Sequence, residues 1–358
     1  MPNKNCGAFV EAYNNFNVSS LKNENLETFY SSINNTAHRI ASIIQVSKQF
    51  KRILVMGQAG CGKSTALNKV SKELAERFYV VPVPLADKPY SFNIQDANIT
   101  DLFYRSLENR GLDCSLQASL AKGLDINNHE NMEILANICA EIMTETNKVF
   151  VFVVDDLNRF SSEKIEAFFL KNSPFFSKLP AHIICTFPVA SIYSASLHKK
   201  IPDNFDQVCI KPVSLYDING KKQESSFWEL FKLISKRIEI GFVEHCALSM
   251  IVNYSGGVMR HLIGFMQDAC LLAIVQGKGK IDTEIAEQVI QEKKNQYKRI
   301  FDFVKYQGKA IVISQEKSIK GMLVSDAIYF LEHLFILEYG KYGSEAWFDV
   351  HPCLKKSL

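Results

Sequence analysis

The chain has 358 residues, room for two or three domains at roughly 100–200 residues each. With 47% hydrophobic residues, 22% charged residues and ten prolines its composition is that of an ordinary globular protein, which excludes wholesale disorder, collagen and coiled coil. Lys plus Arg number 41 and Asp plus Glu 38, and the resulting +3 is too small to attract nucleic acid or anionic membrane in general, so any such binding must be a local patch.

The first 25 residues are polar and rich in Asn. Glu27 to Lys51 then carries Phe29, Ile33, Ala37, Ile40, Ile43, Ile44 and Val46 at helical spacing, which predicts one amphipathic helix leading into a strand at Ile53 to Met56. A Gly-rich turn follows, then a helix from about Lys63 to Arg77. Tyr79 to Leu85 reads as a second strand, and Pro82 and Pro84 put it at a sheet edge, because proline has no N–H to give to a ladder. Residues 96–147 alternate helical patterns with polar breaks. The apolar run Val149 to Val154 ends in two aspartates, as a central parallel strand buried on both faces would.

A helix near 162–171 leads to a short strand at His182 to Thr186, and Val208 to Val213 reads as a fifth. Strands alternating with helices predict a parallel sheet with right-handed crossovers up to about residue 215. Beyond a linker at Asn219-Gly220-Lys221-Lys222, residues 225–300 show helical patterns only. At the end, Val324 to Leu334 reads as a helix, and Phe335 to Tyr339 pairs with Ala346 to Val350 as a hairpin across Gly340-Lys341-Tyr342-Gly343, giving a winged-helix-like close.

Gly57-Gln58-Ala59-Gly60-Cys61-Gly62-Lys63-Ser64-Thr65 matches GxxxxGK[ST] between a predicted strand and a predicted helix, the context of a phosphate-binding P-loop. Phosphate has to be approached closely by backbone N–H groups, so the loop needs glycines, and the helix N-terminus adds positive potential. Lys63 would reach the β and γ phosphates of ATP, and the Ser64 hydroxyl would ligate Mg²⁺. Cys61 is a small filler inside the loop. Asp155 and Asp156, at the end of the apolar strand, stand where open α/β sheets bind ligands, Asp155 as the metal-side carboxylate and Asp156 as the water-activating base.

These two motifs resemble those of the AAA+ and STAND branch of P-loop ATPases, of the origin-recognition-initiator or bacterial conflict-system type. The resemblance implies a strand inserted between the two that bear the motifs; His182 to Thr186 matches it, with Thr186 as the sensor of attacking water or γ-phosphate. Asp155-Asp156-Leu157-Asn158-Arg159 is similar to the DDLDR-like box of STAND ATPases, departing at Asn158. Ser255-Gly256-Gly257-Val258-Met259-Arg260-His261-Leu262 resembles a turn opening a lid helix, whose Arg260 points at the γ-phosphate. Val189 to Asp206 holds no Arg for a finger, only Lys199 and Lys200, and Arg159 is assigned a structural ion pair.

The nine cysteines show no CxxC spacing and read as free thiols of a reducing cytosol. His182, His198, His245, His261, His333 and His351 show no metal spacing, so packing or surface roles are expected. No apolar run approaches the about 20 residues of a membrane helix, and the N-terminus has no signal-peptide pattern, so a cytoplasmic protein is expected. Residues 301–358 contain seven Lys, no Arg and seven Asp plus Glu, a poor balance for DNA, while Tyr329, Phe330, Phe335, Tyr339, Tyr342, Trp347 and Phe348 crowd the segment, any exposed ones being interface candidates.

The fold expected is α/β: a P-loop NTPase αβα sandwich with a parallel five-stranded sheet, then a helical lid and a winged-helix-like C-terminal domain. The expected divisions are an N-terminal extension with its lead-in helix (1–50), the ATPase domain (51–218), the lid (219–300) and the C-terminal domain (301–358). The function expected is an ATP-hydrolysing molecular switch that works through a protein partner or self-association, which the family resemblance would place in antiviral defence. The alternatives are a DNA-binding initiator or loader, and an ATP-binding scaffold with little hydrolysis.

Overall fold

The computed structural model describes residues 6–33, 35–85, 93–94, 99–108, 130–157, 160–193, 205–340 and 345–358. The chain opens with helices α1 (Cys6–Asn15) and α2 (Asn23–Phe29). It then builds α3 (Thr36–Val46), β1 (Arg52–Gly57), α4 (Lys63–Leu74), β2 (Phe78–Pro84), α5 (Ile99–Glu108), α6 (Glu130–Thr146), β3 (Val149–Asp155), α7 (Ser162–Lys171), α8 (Ser173–Lys178), β4 (His182–Pro188) and β5 (Phe205–Cys209). Two compact units form: one from Asn35–Met56 and Lys63–Cys209, the other from Met1–Asn34, Gly57–Gly62 and Ile210–Leu358.

The first unit is a five-stranded parallel sheet in the order β2-β3-β4-β1-β5. β1 and β4 are buried along their whole length, as apolar strands covered on both faces must be. Successive side chains alternate between faces. Phe150, Phe152 and Val154 of β3 join Ile183, Cys185 and Phe187 of β4 in a core with α5, α6, α7 and α8. The alternate set, Ile53, Val55, Val151, Val153 and Ile184, is buried as well, and α4 lies along β2 and β3. β2 is an edge strand, as its prolines required. Arg52 is buried within β1 because its guanidinium donates to the carbonyls of Phe176, Leu179 and Ala181; burial still lowers its pKa to about 10.

Two expectations need correction in and around this unit. Residues 27–51 form no single helix: the chain leaves α2 at Tyr30 in extended backbone and re-enters α3 after Asn35, whose left-handed φ of 47° is a conformation Asn tolerates. The fifth strand covers Phe205–Cys209 and pairs in parallel with β1, earlier than the expected Val208 to Val213. Pro212 has no N–H to give, and the Val213 N–H is donated to Gly257 O instead.

The second unit contains α9 (Glu224–Ser235), α10 (His245–Tyr254), α11 (Met259–Val275), α12 (Thr283–Ile300), α13 (Phe303–Glu316), α14 (Val324–Glu332), the antiparallel pair β6 (Ile336–Tyr339) and β7 (Trp347–Val350), and α15 (Pro352–Lys355). The polar N-terminal stretch is part of this fold: α1 packs on α11, with Phe9 edge-on to Phe242 at 5.7 Å and the Tyr13 carbonyl accepting from Gln267. Asp282 and Asp302 cap α12 and α13 by accepting the N–H of Ile285 and Lys305. Residues 219–222 sit in an ordered turn, in which the Asp217 carboxylate accepts from the N–H groups of Asn219 and Lys221.

The C-terminal aromatic residues pack on one another, and none of the described ones is left exposed as an interface candidate. Phe330, Phe335, Tyr339 and Phe348 are buried, and Tyr329 and Trp347 half-buried; Tyr342, like Lys341, lies outside the described residues. Phe335 meets Phe301, Tyr329 and Phe330 at ring separations of 5.0–6.0 Å. Asp326 in α14 is buried and paired with Lys309. Among the described residues no helix is long and apolar enough to cross a membrane.

His182 illustrates how the buried histidines behave. Its Nδ1 accepts the Lys51 N–H at 2.9 Å, between the rings of Phe50 and Phe78, and burial, helped by Arg52 and Lys51, lowers its pKa to about 4. His261, whose Nδ1 lies 2.9 Å from His351 Nε2, is lowered to about 3, mainly by burial. Free imidazole titrates near 6.5, so the folded state holds these rings neutral while the unfolded chain takes up protons below that value. Their contribution to stability is complete above about pH 6.5 and is lost as pH falls, at up to about 1.4 kcal/mol per pH unit for each ring. Urea midpoints measured from pH 7 to 4.5 should fall, and His182→Asn should remove part of the slope; a wild-type midpoint constant over this range contradicts the assignment.

Candidate nucleotide-binding site

β1 delivers the chain into Gly57, and the segment Gly57–Gly62 precedes α4, which opens at Lys63. Gly60 and Gly62 have φ of +79° and +96°. Left-handed backbone at such positions can turn nearby N–H groups toward a common side, the concave form of backbone that receives anions. At Gly60 there is a second constraint: a Cβ would fall 2.7 Å from Cβ of Arg260, whose N–H donates to Gly60 O at 3.0 Å. The turn predicted to open the lid helix therefore rests against the loop. Gly257, with φ of +72°, lets that turn approach Val213, whose carbonyl oxygen would lie 2.0 Å from a Cβ there.

The other residues of the motif are placed as follows. Gln58 is 3% exposed, its Nε2 donating to Leu331 O (3.2 Å) and Ile336 O (2.8 Å) and its Oε1 accepting the Glu338 N–H (2.8 Å). Ala59 packs against the apolar cluster of Val258, Leu334, Leu337 and Tyr339. Cys61 is buried and its N–H donates to Gln58 O at 3.4 Å. Lys63 is the first residue of α4 and 6% exposed; Ser64 and Thr65 are half-buried in the same turn.

The acidic pair closes β3. Asp155 Oδ1 accepts the Asp156 N–H at 2.7 Å, and Asp156 takes a left-handed φ of +67°, which bends the chain out of the strand. Thr186 is fully buried on β4, one step beyond the last register pair Val154↔Cys185, and its Oγ1 accepts the Leu157 N–H at 3.2 Å. The structure thus brings Thr186 to the turn that carries both carboxylates. A threonine hydroxyl that accepts still has its own proton to donate. β4 lies between β3 and β1, so the Thr186 strand separates the strand that ends in the acids from the strand that opens the loop. Asn158, Arg159, His198, Lys199 and Lys200 lie outside the described residues.

Magnesium takes hard oxygen donors, and the Ser64 hydroxyl and the Asp155 carboxylate are of that chemistry. Among the described residues no group of three or more His, Cys, Asp or Glu side chains is placed to hold a metal by itself. The contacts of Gln58 with the α14–β6 backbone could not be read from the sequence. Gln58 occupies a variable position of the motif, and its partners are backbone groups more than 270 residues away, which leave no side-chain pattern.

Strand order and loop together define the class: an α/β protein with the fold of the P-loop NTPases. No family model matches the chain, and no curated protein matches it in sequence. Among solved structures it is similar to Cdc6p of Pyrobaculum aerophilum, at 12% identity over 96% of this chain and 95% of that one, with a TM-score of 0.46. It is also similar to ORC1 of Aeropyrum pernix, solved in complex with DNA, at 10% identity over 93% and 91%, with a TM-score of 0.45. The RuvB Holliday junction branch migration motor of Thermotoga maritima matches at 14% identity over 90% and 93%, with a TM-score of 0.42. The strand order and the loop, rather than these distant likenesses, define the fold.

Replacing Thr186 by Val removes the acceptor of the buried Leu157 N–H, which costs about 1–3 kcal/mol when no other partner is found. Denaturant unfolding should show that loss for Thr186→Val and most of it recovered in Thr186→Ser. A Val variant as stable as wild type would mean that this bond does not hold the turn.

Proposed function

We propose that the chain is an AAA+-like ATPase that binds ATP with Mg²⁺ at Gly57–Thr65 and hydrolyses it with Asp156 as base. What supports this is the position of the acid pair: Asp155 and Asp156 leave β3 in a bent turn held by Thr186, on a strand inserted between β3 and the loop-bearing β1. General-base catalysis of phosphoryl transfer to water needs a carboxylate fixed relative to the phosphate chain, and a strand-end turn bonded to its neighbour supplies rigidity. Lys63 neutralises phosphate charge, and bound Mg²⁺, taking oxygen donors from Ser64 and Asp155, supplies further charge neutralisation. Thr186 has a proton left to offer the attacking water. Arg260, seated on Gly60, is the residue that distinguishes ATP from ADP.

The hydrolytic state is read out by a protein partner or by a second copy of the chain. The near-neutral C-terminal segment and the absence of Lys and Arg from α14 favour this over duplex DNA as the main target. The antiviral role that resemblance implies has no residue in the site to carry it.

Lys63→Ala should abolish most nucleotide binding while the fold persists, and calorimetric titration with ATP reads this directly; unchanged affinity would remove the P-loop assignment. Asp156→Asn should keep ATP bound and lower turnover by roughly 10²-fold or more, the scale of losing a positioned base. Retained turnover in that variant, with loss in Asp155→Asn, would exchange the two roles. Arg260→Ala should narrow the ATP-to-ADP affinity ratio by roughly 10- to 100-fold, the worth of one charge-assisted bond. A ratio equal to wild type would leave Arg260 a structural residue.

A further inference from the structure

The loop segment Gly57–Gly62 is gripped by the C-terminal strand pair. A glutamine amide has two N–H donors and a carbonyl, and Gln58 uses both kinds of group on main chain: its Nε2 donates to Leu331 O in the last turn of α14 and to Ile336 O at the start of β6, and its Oε1 accepts the Glu338 N–H within β6. Ala59 packs on Leu337 and Tyr339 through the cluster they share with Val258 and Leu334. The tie is doubled through Lys211. Its neighbour Ile210 lies so close to the loop that a Cβ on Gly57 would fall 2.3 Å from Ile210 O. Lys211 Nζ pairs with Glu338 at 3.0 Å and donates to Tyr339 O at 3.3 Å, while the Tyr339 hydroxyl donates to Gly256 O at 2.8 Å. Glu338 is 5% exposed, so removing Lys211 would leave a buried carboxylate without its ion-pair partner.

We propose that the β6–β7 pair is a positioning element of the phosphate-binding loop: seated, it holds Gly57–Gly62 in the phosphate-receiving form, and nucleotide affinity falls when it lifts away. This rests on the nucleotide-binding reading above and names the regulation of that same site. A loop with three glycines among six residues has many conformations open to it, and a ligand that fits one of them binds in proportion to the fraction already in that form. Gln58 and Ala59 confine the loop to that fraction through their contacts with the α14–β6 segment. Linkage makes the effect reciprocal, so nucleotide tightens the seating of β6. Any partner that draws the pair away lowers nucleotide affinity, which couples the C-terminal surface to the state of the site.

The test uses the full chain as wild type, Gln58→Leu, Lys211→Met and the double variant Lys211→Met with Glu338→Leu. Each is titrated with ADP and with ATP, and hydrogen exchange of the β6 amides is followed with and without ADP. In wild type, ADP should slow exchange at Glu338. Gln58→Leu should weaken ADP at least about fivefold, the lower range of site-to-site coupling, and abolish the slowing. Lys211→Met, which leaves the motif intact and serves equally if Gln58→Leu does not fold, should weaken ADP in the same direction. Adding Glu338→Leu should restore it to within about twofold, because replacing both partners of a buried pair is far milder than removing one. If wild type binds ADP while folded Gln58→Leu and Lys211→Met bind it equally well and β6 exchange ignores ADP, the coupling is overturned and the nucleotide reading stands. If wild type binds neither nucleotide, both fall.

Discussion

A loop that is to take up phosphate through its own N–H groups, as we propose for Gly57–Gly62, must keep donors available and still be held in one shape. Ordinary secondary structure cannot do both, since it consumes the same donors. In this chain the holding is done largely from the side, by the Gln58 amide reaching the α14–β6 backbone and by glycines that let Ile210 and Arg260 come close. The loop residues consequently belong to the unit built from Ile210–Leu358, while β1 up to Met56 and α4 belong to the other. The motif is continuous in sequence but crosses from one unit to the other and back.

The acidic turn meets a related requirement by another route. In a parallel sheet all strand C-termini fall along one edge, so functional groups from strands far apart in sequence are brought together without any dedicated contact. Asp155, Asp156 and Thr186 are collected in this way, and the Leu157 N–H to Thr186 bond then fixes the turn. Asp156 adopts its left-handed backbone because the chain must leave the sheet at once, and a short polar side chain tolerates that bend.

Several buried polar groups elsewhere are answered by main chain, rings or one another. Arg52 caps three carbonyls at the approach to β4, and Arg237 donates to Leu233 O and Phe29 O with its guanidinium over the Phe29 ring. His261 and His351 answer each other in neutral form, with His351 Nδ1 accepting the Cys353 N–H. The Cys353 N–H can be accepted only if the His351 proton sits on Nε2, which makes His351 the donor to His261.

The glycine turn between β1 and α4, the acidic strand, the edge position of β2 and the helical run after residue 225 were legible in the sequence, because each depends on short-range facts: glycine spacing, an unbroken apolar run, proline without an N–H, and 3.6-residue periodicity. The hairpin of β6 and β7 was legible for the same reason. What the sequence could not display was every feature that depends on a partner remote in the chain. The polar N-terminal stretch is a helix because α11 offers it a surface, the aromatic C-terminal residues face inward because they meet one another, and Asp326 is neutralised by Lys309. The grip of Gln58 is the extreme case, since its partners are main-chain groups that any sequence would supply. Local pattern determines which elements form and which residues are candidates to carry chemistry. Only the tertiary structure decides which backbone comes to rest beside the loop, because that follows from the summed packing of the whole unit.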